Sequence, residues 1–309
     1  MTHPAPWAFA EPWGGQGWVT DIDGPVHWIG FGGEGDAPPI VFVHGLGGSH
    51  LNWSLVGRAL AQGRRAVALD LRGFGLTPGF PRSTTIRANV RLVNRFIATV
   101  VKEPAVLVGN SMGGVISVLQ THNNPDSVAG LVLVDPALPP TSTRPDLRVA
   151  AMFMTYMTPG IGELYMRFAQ SRMSSRQLVQ RMNDLCFGDP SRADAKMLDA
   201  SVAMTEERRR IPGKEQSFLN ASRSLMRFLA RGDRYRDILK GLPAPVLLIS
   251  GDVDRLVPIA LARQVAAANP AWDSVFLTGV GHTPQLETPD AVVDAVTDWL
   301  ARTPTIAGK

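Results

Sequence analysis

Three short strings in this 309-residue chain hold side chains that do chemistry together. The first is Gly109-Asn110-Ser111-Met112-Gly113, followed by Gly114. A serine hydroxyl is a poor nucleophile until a nearby base takes its proton. Glycines two residues to either side leave room for a tight, strained turn that holds the hydroxyl clear of its neighbours. The string follows the apolar run AVLVGN (105–110) and precedes the helical pattern VISVLQTH (115–122). Strand, sharp turn and helix form the setting in which G-x-S-x-G presents a nucleophile at a helix N-terminus. A glycine-rich turn that merely packs helix on strand would carry the same letters, and the setting favours catalysis.

The second string, His44-Gly45-Leu46-Gly47-Gly48, ends the run PPIVFVHG (38–45). Its glycines let main-chain N–H groups approach a ligand, and the N–H groups of Leu46 and Met112 are placed to stabilise a tetrahedral oxyanion. With neither a Walker lysine nor G-x-G-x-x-G at this position, phosphate binding is disfavoured. His44 itself reads as a turn-stabilising residue. The third string, GVGHTPQLETPD (279–290), supplies the base. Of the six histidines, only His282 follows the last strand-like run and precedes the last helix. For the acid, Asp254 in Gly251-Asp252-Val253-Asp254-Arg255-Leu256-Val257-Pro258 is preferred, with Asp252 and Asp135 as alternatives.

These strings need a scaffold. PPIVFVHG, RAVALDL (65–71), AVLVGN, VAGLVLVDPA (128–137), PVLLISG (245–251) and DSVFLTG (273–279) are apolar at nearly every position. Strands of that kind are buried on both faces, which predicts an α/β fold with a mostly parallel sheet covered by helices on both faces. Ser83-Thr84-Thr85 caps a helix presenting Ile86, Val90, Val93 and Ile97. Thr288-Pro289 opens a last helix with Val292, Val296 and Leu300 on one stripe. GWVTDID (17–23) and PVHWIGFG (25–32) flank Gly24-Pro25 as an antiparallel hairpin at the sheet edge. Residues 138–243 contain no strand-like run and read as four or five helices, an inserted all-helical cap domain over the strand ends. One helix ends at Pro159-Gly160, another runs from Ser174 to Gly188, a third starts at Asp189-Pro190, and a fourth spans Lys214 to Gly232. The core is then 1–137 with 244–309.

Charge follows the same division. Net charge is +4, but residues 138–243 hold 18 basic and 11 acidic side chains while 244–309 hold 4 and 7. Cations interleaved with acids and lacking a stacking aromatic motif argue against nucleic acid. Glu206-Glu207-Arg208-Arg209-Arg210 reads as a solvated helix end. Nine of the eleven methionines lie in the insertion. Most would pack helix on helix, while Met152, Phe153, Tyr156 and Met157 are expected to line an adaptable apolar substrate pocket. The single cysteine, Cys186, excludes an internal disulfide and a Cys-based zinc cluster and reads as a small core residue. No metal and no cofactor is called for. No apolar run reaches the roughly 20 residues of a membrane span, so stable membrane insertion is not expected. The opening MTHPAPWAFA lacks the features of a secretory signal, which makes the cytoplasm the expected location. Trp7, Trp13, Trp18 and Trp28 are expected to pack the hairpin.

The order Ser111, Asp254, His282, together with HG-x-G-G, G-x-S-x-G, G-x-x-D-x-x-x-P and a helical insertion, resembles the α/β-hydrolase fold superfamily. Asp70-Leu71-Arg72-Gly73-Phe74-Gly75, with Thr77 beyond it, resembles that superfamily's D-x-R-G-x-G-x-S stretch. The resemblance implies Ser111 as nucleophile, His282 as base, Asp254 as acid and the amides of Leu46 and Met112 as oxyanion hole. Serine at 111 sets aside the aspartate-nucleophile dehalogenases and epoxide hydrolases. Gly-Asn-Ser-Met-Gly-Gly resembles the elbow of meta-cleavage-product hydrolases, which cut C–C bonds. Thr283-Pro284-Gln285-Leu286 after the histidine and the lack of a Gly-Pro-Gly loop after Gly45 depart from that branch. The expected activity is therefore hydrolysis of a lipophilic carboxylic ester. A C–C hydrolase is the alternative, followed by a cofactor-free perhydrolase and a non-catalytic binder of an apolar small molecule.

Overall fold

The computed structural model describes residues 1–5, 9–140 and 146–307. Nine strands form one sheet: β1 (Thr2–Pro4), β2 (Gln16–Asp21), β3 (Pro25–Gly30), β4 (Ile40–Val43), β5 (Ala66–Leu69), β6 (Ala105–Asn110), β7 (Val128–Val134), β8 (Val246–Gly251) and β9 (Asp273–Leu277). Their spatial order is β1-β2-β3-β5-β4-β6-β7-β8-β9. The first three strands are antiparallel, β3 meets β5 antiparallel, and the sheet from β5 to β9 is parallel. The hairpin forms as expected, but the outermost strand is β1, a three-residue piece too short to show a strand pattern in sequence. Trp18 and Trp28 stack across the hairpin at 5.9 Å. Trp7 lies outside the described residues.

The all-apolar strands have the predicted cause. Val41, Val43, Leu107, Leu131, Leu133 and Leu248 face one core, with Ile86, Val90, Val93 and Phe96 of α2 (Ile86–Phe96) and Val115, Ile116 and Val118 of α3 (Met112–Asn123). The alternate positions Ile40, Phe42, Val106, Val108, Val132 and Ile249 face a second core. There α1 (Ser54–Leu60) and the C-terminal helix close the sheet with Val56, Leu60, Val292, Val296 and Trp299. Period-two alternation thus feeds two buried faces.

Between β7 and β8 the described residues form six α-helices rather than four or five: α4 (Leu147–Met157), α5 (Ile161–Arg172), α6 (Ser175–Cys186), α7 (Ala195–Arg209), α8 (Lys214–Leu229) and α9 (Gly232–Lys240). Two local signals account for the difference. Asp189-Pro190 starts only a short 3-10 turn, and the helix that follows is capped by Asp194, whose side chain accepts from Met197 N. The expected Lys214–Gly232 helix stops at Leu229, and Arg231 breaks it before α9. After β8 come α10 (Ile259–Ala268), α11 (Pro284–Glu287) and α12 (Pro289–Arg302). No described helix is long and apolar enough to cross a membrane.

The chain leaves β4 for β5 on one side and later for β6 on the other. Open α/β sheets bind ligands at such a reversal of strand order, outside the carboxyl ends. Val43 is paired with Gly109, so the loops carrying His44–Gly48 and Ser111 emerge side by side.

Candidate active site

Ser111 has φ 52° and ψ −117°, a backbone region that L-residues avoid unless packing dictates it. The dictating contacts are at its flanking glycines. A Cβ on Gly109 would lie 2.6 Å from Gly113 O, and a Cβ on Gly113 would overlap Val43 O. Ser111 N donates to Val134 O at 3.1 Å, and Ser111 O accepts from Gly114 N at 3.0 Å as α3 begins. Met112 is the first residue of α3, so its N–H has no acceptor within the helix. The neighbouring loop is equally close: a Cβ on Gly45 would sit 3.1 Å from the Ser111 Cβ. That proximity brings the Leu46 segment beside the serine.

His44 stabilises this loop. Its Nε2 accepts from Leu71 N at 3.0 Å and its Nδ1 donates to Gly45 O at 2.8 Å. Burial pushes its pKa down to about 4, so it stays neutral.

His282 is buried at the end of the β9–α11 loop, and its Nδ1 donates to Asp254 Oδ2 at 2.7 Å. Asp254 is held in turn by Leu256 N at 2.7 Å and Val257 N at 3.1 Å. With Nδ1–H committed to the carboxylate, the neutral ring keeps Nε2 free to accept a proton. Asp252, the alternative, is engaged elsewhere and accepts from Gly279 N at 2.7 Å. Asp135 lies beside the pair. It has φ 40°, and its carboxyl accepts from Gly251 N at 3.1 Å. Burial first, and then the charge of Asp254, hold it protonated well above the usual carboxylate range. His122 sits in the last turn of α3, at the opposite end from Ser111.

Ser111, His282 and Leu46 open onto one cavity of about 700 Å³. Met152, Phe153, Tyr156 and Met157 line it. Met154, Met166, Met182, Met197, Met204 and Met226 line it too, so of the nine methionines in the segment only Met173 does not. Cys186 also reaches this wall; burial pushes its thiol up to about 12.

Several supporting residues escaped the sequence reading. Asn110 Nδ2 donates to His282 O and to Val134 O, both at 3.0 Å. Cys186 O accepts from His282 N at 2.6 Å. Buried Glu287 accepts from Gly281 N at 2.8 Å and from Gly188 N and Asp189 N at 2.9 Å, while Arg192 approaches at 3.1 Å. That carboxylate ties the histidine loop to the α6–α7 connection. Its only signal was a carboxylate five residues after His282. The string 206–210 is corrected in part: Glu206 and Arg210 are solvated, whereas Arg208 and Arg209 are not. Arg208 donates to Gly75 O and Gly73 O at 3.0 and 3.1 Å and stacks over Phe74. Arg209 donates to Ser175 Oγ, Gln170 O and Met173 O. A guanidinium fork can place all its donors on backbone carbonyls, so a basic run does not require solvent.

Residues 40–295 match the model of the alpha/beta hydrolase family. The chain belongs to that family. Among its relatives is the dihydrolipoyllysine-residue acetyltransferase component of the acetoin cleaving system of Pseudomonas putida. It is 28% identical over 273 residues, covering 86% of this chain and 64% of that protein, so the chain spans under two thirds of that relative. The pimeloyl-[acyl-carrier protein] methyl ester esterase of Edwardsiella ictaluri is 27% identical over 265 residues, covering 84% of this chain and 92% of the esterase. Among solved structures, a thermophilic esterase from Thermogutta terrifontis superposes with a TM-score of 0.68 at 22% identity, covering 92% of this chain and 96% of that one. At that identity the likeness concerns the fold alone.

Proposed function

We propose that this member of the family is a serine hydrolase that cleaves lipophilic carboxylic esters through an acyl-enzyme, with Ser111 as nucleophile, His282 as base and Asp254 as acid. The observation that carries the reading is the His282–Asp254 hydrogen bond of 2.7 Å opening onto the same methionine-lined cavity as a strained Ser111. Ser111 Oγ attacks the acyl carbon as its proton passes to His282 Nε2. Asp254 holds the ring in the right tautomer and stabilises the imidazolium. The N–H groups of Leu46 and Met112 receive the developing oxyanion. His282 then protonates the leaving alcohol, and water repeats the sequence to release the acid. Residues 138–243 act as a cap over a core of 1–137 and 244–309, and their methionines accept acyl chains of varied shape. The similarity to the Edwardsiella ictaluri methyl ester esterase supports ester chemistry.

The test is turnover of p-nitrophenyl esters of graded chain length, beside a dienoate diketone. Ester hydrolysis that is lost in Ser111→Ala, with affinity rising over the first few carbons, is expected. Diketone cleavage without ester turnover would instead assign a C–C hydrolase. A fold that binds these esters and turns none over would remove the enzyme reading.

A further inference from the structure

The cavity wall is mostly apolar, and among its described residues the charged side chains other than His282 gather where the C-terminal end of α7 meets the N-terminal end of α8. There Arg208, Arg209, Lys214 and Glu215 share the wall, three cations with one carboxylate. The forks of Arg208 and Arg209 end on neutral carbonyl and hydroxyl oxygens, while the charges of Asp70 and Glu215 act on Arg208 without a hydrogen bond. Lys214, 12% exposed, reaches Glu215 only at 3.7 Å. Glu206 approaches Arg209 at 3.9 Å from a position 58% exposed, where water screens it. Three cations beside an apolar space, with carboxylates only at longer range, favour a further negative partner. Burial, and the nearby charges of Arg209 and Arg208, lower the Lys214 pKa, with Glu215 opposing. This corner is close to the chemistry. Phe218, one turn beyond Lys214 on α8, packs where a Cβ on Gly47 would lie 3.3 Å from its ring. One helical turn displaces Lys214 by about 6 Å from that level of the oxyanion loop.

We propose that the α7–α8 corner, with Lys214 as its mobile cation and Arg208 and Arg209 as its fixed ones, is a subsite for a carboxylate or phosphate carried by the substrate a few carbons from the scissile ester. The inference rests on the ester-hydrolase reading. It narrows the substrate class from a lipophilic ester to an amphiphilic one with an anionic end. Glu215 competes for the same lysine and weakens the subsite until an anion displaces it.

Two esters with equal chains test this: mono-p-nitrophenyl adipate, which ends in a carboxylate, and neutral p-nitrophenyl hexanoate. The quantity read is the ratio of their kcat/KM values, so that effects on folding or on the chemical step cancel. The ratio should exceed one in the wild type. Lys214→Met, close in size but uncharged, should lower it about tenfold, and Lys214→Gln should do the same. Glu215→Gln should raise it threefold or more. Raising NaCl from 20 to 500 mM should lower it in the wild type and lower it less in Lys214→Met, where only the two arginines remain. Inorganic phosphate and acetate as competitors distinguish a preference for phosphate from one for carboxylate. A ratio below one, or one unmoved by all three variants, overturns the subsite. If neither ester is turned over, the ester reading fails separately. Calorimetric binding of monoethyl adipate against ethyl hexanoate to Ser111→Ala, with and without Lys214→Met, then decides the subsite: equal affinities overturn it.

Discussion

Two histidine–aspartate systems are buried in this molecule, and the hydrogen bonds that build them are nearly the same length. His282 meets Asp254 at 2.7 Å, and His27 meets Asp70 at 2.8 Å. Asp70 goes further, accepting also from His50 Nδ1 at 3.0 Å, His50 N at 2.7 Å and Leu76 N at 2.8 Å. The rings of His27 and His50 lie 5.0 Å apart. These three side chains are the one group among the described residues whose donor atoms cluster within 4.8 Å as a metal site would need, yet both rings spend Nδ1 on the carboxylate. What separates the two systems is access. His282 faces a cavity that also holds Ser111, whereas His27, His50 and Asp70 are fully buried and outside its lining. A His–Asp pair orients a ring and stores charge. It becomes a base for a substrate only when the free nitrogen faces a reacting group.

The contrast breaks most sharply at Ser111. Ser111→Ala should lower ester kcat by a factor on the order of 10⁶ with the fold intact, and a phosphonate ester probe should label wild-type Ser111 alone. Labelling of any other residue would remove the nucleophile assignment. Asp254→Ala should cost less, on the order of 10⁴ in kcat, because His282 remains but loses its tautomer and orientation. A larger loss in Asp252→Ala, measured in parallel, would transfer the acid role.

Asp70→Asn should show the opposite profile. Breaking a buried charged network costs about 3–5 kcal/mol, read as a lower denaturation midpoint, while kcat of the folded protein falls less than tenfold. Its pH dependence follows from its neighbours. The His50 charge and the hydrogen bonds from both histidines hold the Asp70 carboxyl well below its ordinary range against the cost of burial. The unfolded chain therefore binds more protons as pH falls below about 4. The stabilisation is present above that pH and is lost on acidification, and Asp70→Asn should flatten that part of the acid unfolding curve.

Asp135 gives the smallest effect and the reverse sign. Its carboxyl stays protonated in the folded protein at pH values where the unfolded chain has lost the proton. Stability therefore falls as pH rises above about 4, up to the raised folded value. Asp135→Asn keeps an acceptor for Gly251 N and a donor toward Asp254 without titrating. Its unfolding temperature should match wild type near pH 4 and exceed it increasingly toward neutrality. An equal offset at every pH would mean that Asp135 is ionised in the native state.

How much of this could be read from the chain itself follows the range of each interaction. Strand positions, the Thr85 and Ser174 caps and the turn at Ser111 are local, and the sequence carries them as periodicity, capping residues and glycine spacing. The proposal of Ser111 and His282 rests on glycine spacing and on chain order along a parallel sheet, because carboxyl ends of such strands converge on one edge. The sequence prefers Asp254 as the acid but keeps Asp252 and Asp135 as alternatives, since three carboxylates at neighbouring strand ends look alike until side-chain directions are fixed. Only folding turns Asp254 to His282, Asp252 to Gly279 and Asp135 to Gly251. The same holds for the arginines at 208 and 209, which composition places in water and tertiary packing places on carbonyls 36 to 135 residues away. Periodicity reports which face of an element is apolar. It does not report which distant backbone will arrive to satisfy a charge, and that was decided by the three-dimensional meeting of α7 with the loops beneath it.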